Sequence, residues 1–252
     1  MLKKLLTVAL STLILGVGAV AGEHSTEKVS PADALKEVVE WNNSFVKSHS
    51  EEYFKPYMNA QHPTVTLVTC SDARVQTTAL FKDPVDKVFV IRNIGNQLAN
   101  ARGSVDYGIY HLHTPILLIL GHTHCGAVKA ALHNYSNETE GIKEELDHLH
   151  LPLLPLVRCP SGNNFEKTWL DGVERNVNYQ VQEAVNFYKP FIKEGKLAVV
   201  GAVYDFTNAY GKGYGRLVII NVNGETDPKK LENSPVLKEL SEQMKKEVLV
   251  TR

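Results

Sequence analysis

Four short runs of apolar and β-branched residues constrain this chain more than any other feature: Val65 to Thr69, Val88 to Ile91, Ile116 to Leu120 and Leu197 to Val203. Several are apolar at consecutive positions, where a strand with one wet face would alternate apolar with polar. They predict strands buried on both faces. Helical patterns separate them, at Val105 to His111, Gly126 to His133 and, much longer, around Val173 to Ile192. This βαβ alternation predicts an α/β fold with a mainly parallel four-stranded sheet and helices on both faces. A fifth run, Leu217 to Val222, follows Tyr210-Gly211-Lys212-Gly213-Tyr214-Gly215, a connection too short for a crossover helix. It is expected to run antiparallel at an edge. Because those glycines lie between two strands, they read as a hairpin turn and not as a phosphate-binding loop.

The flanking segments add less. Ser30-Pro31-Ala32-Asp33 sets a capping hydroxyl before a proline, and Leu35, Val38, Val39 and Phe45 follow at helical spacing. This predicts an N-terminal helical arm. Leu237, Leu240, Met244 and Val248 predict a surface helix over Val236 to Val248. Between them, 134–166 is rich in polar, charged and proline residues, with the apolar island Leu151 to Val157 inside it. It reads as an insertion or long excursion whose island covers a subunit interface or a site mouth, or else as a disordered loop.

Lys3 and Lys4 precede an apolar run from Leu5 through Val20 that finishes in Ala19-Val20-Ala21. This is the pattern of a secretory signal peptide over 1–21, and the run is short for a bilayer span. The mature chain, 22–252, is expected to be one domain, exported to the periplasm or secreted, without stable membrane insertion. Losing the two lysines moves its formal charge from −1 to −3. The remaining basic residues are interspersed with acids, which argues against nucleic acid as a partner. Three cysteines, Cys70, Cys125 and Cys159, are too few and odd in number to form a disulfide scaffold. At least one thiol has another task.

Ligands of open α/β sheets bind beyond the carboxyl ends of the strands. The first strand ends in Cys70-Ser71-Asp72-Ala73-Arg74 and the third in Gly121-His122-Thr123-His124-Cys125-Gly126. A set of thiolates and an imidazole selects zinc, and three protein ligands leave a fourth position open. Either His122 or His124 can be the imidazole. A helical turn opening at Cys125 would put residues three apart on one face, which favours His122. An exposed histidine such as His124, or a buffer molecule, is a candidate proton carrier.

CxDxR on one strand end with HxxC and Gly on another resembles the β-carbonic anhydrases, and the likeness extends over Phe89-Val90-Ile91-Arg92-Asn93-Ile94. The resemblance implies one Zn²⁺ per chain on Cys70, His122 and Cys125. It implies that Asp72 accepts a hydrogen bond from hydroxide at the metal and that Arg74 orients the carboxylate. Gln61, Phe89, Tyr107 and Gly126 match substrate-pocket positions of its plant-like branch, whose zinc stays open. It further implies a homodimer or higher homo-oligomer, with the N-terminal helix across a neighbour and pocket residues shared. The activity implied is reversible hydration of carbon dioxide to bicarbonate and a proton. The alternatives are hydrolysis of carbon disulfide or carbonyl sulfide on the same site, or a non-catalytic zinc protein serving assembly.

Overall fold

A computed structural model describes residues 29–158 and 164–250. The proposed leader and Cys159 lie outside the described residues. The chain divides after Pro56 into two compact units.

The first unit holds helices α1 (Pro31–Ser48) and α2 (Glu51–Phe54). Ser30 caps α1 by accepting from the Asp33 amide at 3.1 Å while its hydroxyl donates to the Asp33 carboxylate at 2.6 Å, which satisfies donors the first turn would otherwise strand. Phe45 stacks on His49 and meets Tyr53 and Phe54 edge-on, tying the end of α1 to α2. No residue of α1 is buried, and Leu35, Val38, Val39 and Trp41 stand exposed.

The second unit is built on a five-stranded sheet in the order β2-β1-β3-β4-β5, with β1 Val65–Cys70, β2 Val88–Asn93, β3 Ile116–His122, β4 Ala198–Asp205 and β5 Arg216–Val222. Strands β1 to β4 are mutually parallel and β5 pairs antiparallel with β4 at the edge. The hairpin between them turns on Gly211, Gly213 and Gly215, all at positive φ, where a side chain is strained. Strands β1 and β3 bury both faces, with Val68, Leu117 and Ile119 on one side and Leu67, Leu118 and Leu120 on the other.

The remaining helices are α3 (Arg102–Asp106), which widens into a π-helical turn at Tyr107–His111, α4 (Gly126–Ala131), α5 (Glu140–Asp147), α6 (His150–Arg158), α7 (Phe165–Lys193), α8 (Pro228–Glu232) and α9 (Glu242–Val248). Helix α7 crosses one face of the sheet through Val173, Val177, Val181 and Ala184. It bends at Tyr188, where φ is −105° and ψ 18°, two residues before Pro190, a residue that cannot donate to the helical ladder.

Two expectations need correction. The described part of the excursion belongs to the core: α5, α6 and the turn between them bring Leu146, Leu149, Leu153 and Leu156 into the cluster beneath α7. Only part of the apolar island, such as Leu151 and Val157, faces solvent. The single C-terminal helix over 236–248 is instead a turn at Pro235–Leu237 followed by α9, because Ser241 caps a new helix by accepting from Met244 N. Leu237 is buried with Leu231 and Leu249 against the other face of the sheet.

Close approach of α7 to the sheet depends on glycine. A Cβ on Gly201 of β4 would lie 2.7 Å from Val181 Cγ2 and 2.9 Å from Val177 Cγ1. Gly201→Ala is therefore expected to destabilise the protein by about 1–3 kcal/mol, the usual cost of overpacking. Gly103→Ala, on helix α3 with nothing within 4 Å of the added carbon, is expected to raise stability slightly, by up to about 1 kcal/mol. Thermal unfolding of the two variants beside the parent checks this.

Candidate metal centre

Parallel pairing of β1 with β3 aligns Thr69 with Leu120, so Cys70 and His122 leave the sheet side by side at its carboxyl edge. After His122 the chain turns through His124, held at φ +55°, and returns Cys125 to the same spot. Cys125 has extended backbone and precedes the first residue of α4. The helical spacing used to favour His122 is therefore not the geometry present: a left-handed turn brings residues 122 and 125 together.

Cys70, His122 and Cys125 are all buried, and their donor atoms lie within 4.8 Å of one another. His122 Nδ1 is 2.9 Å from the Thr123 carbonyl oxygen. A carbonyl only accepts, so Nδ1 carries the proton and Nε2 offers a lone pair. That Nε2 is buried and has no hydrogen-bond partner, an arrangement that is costly for a polar atom unless something else binds it. Two thiols and a free imidazole nitrogen at this spacing suit one tetrahedral ion of the zinc type.

The protonation of the thiols is shared. Cys70 is drawn down, first by a hydrogen bond from Cys125 and also by the Gly95 amide, against the opposing effect of burial. Cys125 is pushed up by Cys70 and by burial.

Asp72 is clamped. Arg74 Nε donates to Oδ1 at 2.8 Å, Nη2 to Oδ2 at 2.6 Å, and the Arg74 backbone amide to Oδ1 at 2.9 Å. These bonds hold the carboxyl down at about 2, Arg74 being the main cause. Oδ2 stands 3.7 Å from His122 Nε2, at the edge of the triangle of donors. Arg74 is itself braced by the His124 carbonyl at 3.1 Å and lies over the Phe206 ring at 4.7 Å. Phe206, just past the end of β4, also faces the His122 ring, with centroids 5.9 Å apart.

The His124 side chain belongs elsewhere. Its Nε2 is 2.9 Å from Glu166 Oε2 and its ring stacks on Trp169 at 4.6 Å. Trp169 in turn donates to the Cys125 carbonyl at 2.8 Å. Gly126 opens α4 in open space, with nothing within 4 Å of where a Cβ would stand.

The other expected pocket residues are not gathered here. Phe89 pairs with Thr66, four residues before the pair Cys70 and Asn93, or roughly 13 Å back along the strand. Tyr107 lies beside it, with ring centroids 5.8 Å apart, and Gln61 is exposed ahead of β1. One chain thus places the metal ligands and these three residues toward opposite ends of the sheet. Phe206 and Trp169 were not expected from sequence. The strand-end rule that found Cys70 points equally to Phe206, whereas Trp169 carries no local signal, since its hydrogen bond spans 44 residues.

A sequence model described as carbonic anhydrase matches residues 65–211. A carbonic anhydrase of Synechococcus elongatus is 27% identical over 178 residues, covering 66% of this chain and 64% of that protein. One of Mycolicibacterium smegmatis is 36% identical over 110 residues, covering 41% of this chain and 53% of that protein. The chain thus spans between about half and two thirds of the length of these relatives. Among solved structures, a tetrameric β-carbonic anhydrase of Sordaria macrospora superposes with a TM-score of 0.66 at 23% identity, covering 75% of this chain and 98% of that one. A β-carbonic anhydrase of Coccomyxa in complex with acetazolamide gives 0.62 at 24% identity, covering 81% and 92%. With the match to the family running over more than half of its length, the chain belongs to the carbonic anhydrase family.

Proposed function

We propose that this chain catalyses the reversible hydration of carbon dioxide to bicarbonate and a proton, with one zinc ion on Cys70, His122 and Cys125. The observation that carries the reading is the buried triangle of donors with a free imidazole Nε2, beside a carboxylate held off by arginine. Zinc there would supply the Lewis acidity that makes water a nucleophile near neutral pH. Asp72 Oδ2, ionised across the working range, accepts a hydrogen bond from the reacting water and so directs its lone pair. Arg74 keeps that carboxylate from becoming a fourth ligand, which separates an open catalytic site from a closed structural one. Phe206 walls the site on the Arg74 side and keeps it apolar toward an uncharged linear substrate.

Gln61, Phe89 and Tyr107 are proposed to complete the pocket of a second copy, which makes the working unit a homodimer or a higher homo-oligomer. In support, β2 is an outer strand of the sheet and Val90 is exposed on it next to Phe89, an edge that soluble proteins cover or blunt. The exposed stripe of α1 is proposed to lie on that neighbour. With residues 1–21 read as a leader, the mature enzyme is proposed to work in the periplasm or outside the cell, where a bound metal protects both thiolates from oxidation.

Stopped-flow hydration of carbon dioxide tests the activity. Asp72→Ala is expected to retain zinc and to lose on the order of 10²-fold in turnover, as for removal of one proton-directing group. Parent turnover no faster than buffer would overturn the proposal, and hydrogen sulfide release from carbon disulfide in its place would reassign the substrate.

The clamp predicts its own pH dependence. Because folding lowers the Asp72 pKa to about 2, the pair contributes stability above the ordinary carboxylate pKa of about 3.9 and loses it as pH falls toward 2. In metal-free Arg74→Ala, the Asp72 carboxyl is expected to titrate back toward about 3.9, followed by carbon-13 NMR of labelled aspartate.

A further inference from the structure

The sulfur of Cys70 is held from outside its own strand. The Gly95 amide, two residues past β2, donates to Cys70 Sγ at 3.5 Å. Gly95 sits at φ +81°, and a Cβ there would lie 2.9 Å from Leu149 Cδ1, so backbone and not side chain is what this loop brings to the sulfur.

The loop is fixed from α7. Asn176 Nδ2 donates to the Gly95 carbonyl at 2.7 Å and lies 3.5 Å from Asn96 Oδ1. One helical turn on, Gln180 Nε2 donates to Asn176 Oδ1 at 3.0 Å, and Gln180 Oε1 accepts from Leu98 N at 2.9 Å. Asn176 is fully buried, and its neighbours on α7 facing the sheet are Val173, Val177 and Val181. An amide in such a stripe is unfavourable beside a leucine unless its hydrogen bonds do something a leucine cannot. Here they set the position of residues 95–98, and through Gly95 the one backbone donor on the Cys70 sulfur.

We infer that Asn176 is a positioning residue of the metal centre: by holding Gly95 it keeps the Gly95 N–H on the Cys70 sulfur and thereby sets the affinity of the site for its metal. A hydrogen bond to a thiolate favours the ligating form and fixes the direction of its lone pairs. The inference rests on the zinc reading of the site and is independent of the substrate.

Asn176→Asp, assayed above the pKa of the new carboxyl, tests it, because the shape and the acceptor for Gln180 remain while the donor to Gly95 is lost. Asn178→Ala is the control: Asn178 lies on the same helix and accepts from Asn221 at 2.8 Å, but has no bond to 95–98. Zinc affinity is measured by competition with a chromophoric chelator, and the thiolate-to-metal charge-transfer band by cobalt substitution, with near-ultraviolet circular dichroism reporting the fold. Asn176→Asp is expected to fold, to bind zinc about ten- to a hundredfold more weakly, the usual effect of losing an outer-shell partner, and to shift the cobalt band. Asn178→Ala is expected to stay within about twofold of the parent.

A folded Asn176→Asp with parental zinc affinity and an unshifted band would overturn the inference. So would failure of both Asn176→Asp and Asn176→Ser to fold, which would assign the residue to stability alone. Uptake of no zinc by the parent would overturn the metal reading and this inference together. Absence of carbon dioxide turnover in a zinc-binding parent would leave this result standing.

Discussion

The parallel register of β1 against β3 is the constraint on which the rest depends. It ends two strands within one residue of each other, so that a cysteine and a histidine far apart in sequence emerge close together in a buried layer. Soft donors there are buried, and the imidazole finds no protein partner at Nε2. A one-residue slip would turn the entire β1 side-chain set to the other face, moving Cys70 from the α7 side, where Val68 and Ile119 lie, to the side of Leu67 and Leu120. Core packing and metal geometry therefore select the same register.

Helix α7 links the two. Its valines cover β3 and β4, where Gly121 and Gly201 leave room for them, while Trp169 holds the Cys125 carbonyl and Asn176 holds Gly95. The residue that grips Cys125 and the one that grips the Cys70 loop lie seven positions apart, two helical turns, on the same side of the helix. Small movements of α7 along its axis would thus reach both thiol ligands at once. The close packing at the glycines opposes such movement, since each leaves a gap too narrow for a methyl group.

What the sequence disclosed follows from the range of the interactions concerned. Strand positions were legible because consecutive apolar residues such as Leu117, Leu118 and Ile119 have no other economical fate than a sheet covered on both sides. Cys70, His122 and Cys125 were legible because each sits on or just past a strand end. The buried leucines of the excursion, Leu146, Leu149, Leu153 and Leu156, are not legible as core because charges and prolines dilute them, and their partner is a helix that comes later in the chain. Helical spacing favours His122 over His124, but the cause in the structure is the left-handed turn at His124, which a histidine adopts less readily than glycine and does not advertise. Gln61, Phe89 and Tyr107 look like neighbours of the metal in a motif and are not so within one chain, because position along a strand, which separates them, is invisible to motif matching.

Charge balance explains why the carboxylate stands aside. Two thiolates and a neutral imidazole around a divalent cation make a group with no net charge, which the buried site can hold without a large desolvation penalty. Entry of Asp72 as a fourth ligand would leave the centre with a net negative charge and Arg74 with an unpaired positive one, separating two charges that now cancel. With such an ion bound, the bidentate pair at 2.8 and 2.6 Å would keep both sums at zero. Arg74 reaches this position because the His124 carbonyl and the Phe206 ring receive the guanidinium on its remaining sides. A lysine has neither the fork for the carboxylate nor the flat face for the ring, so the open site proposed above would require arginine at position 74.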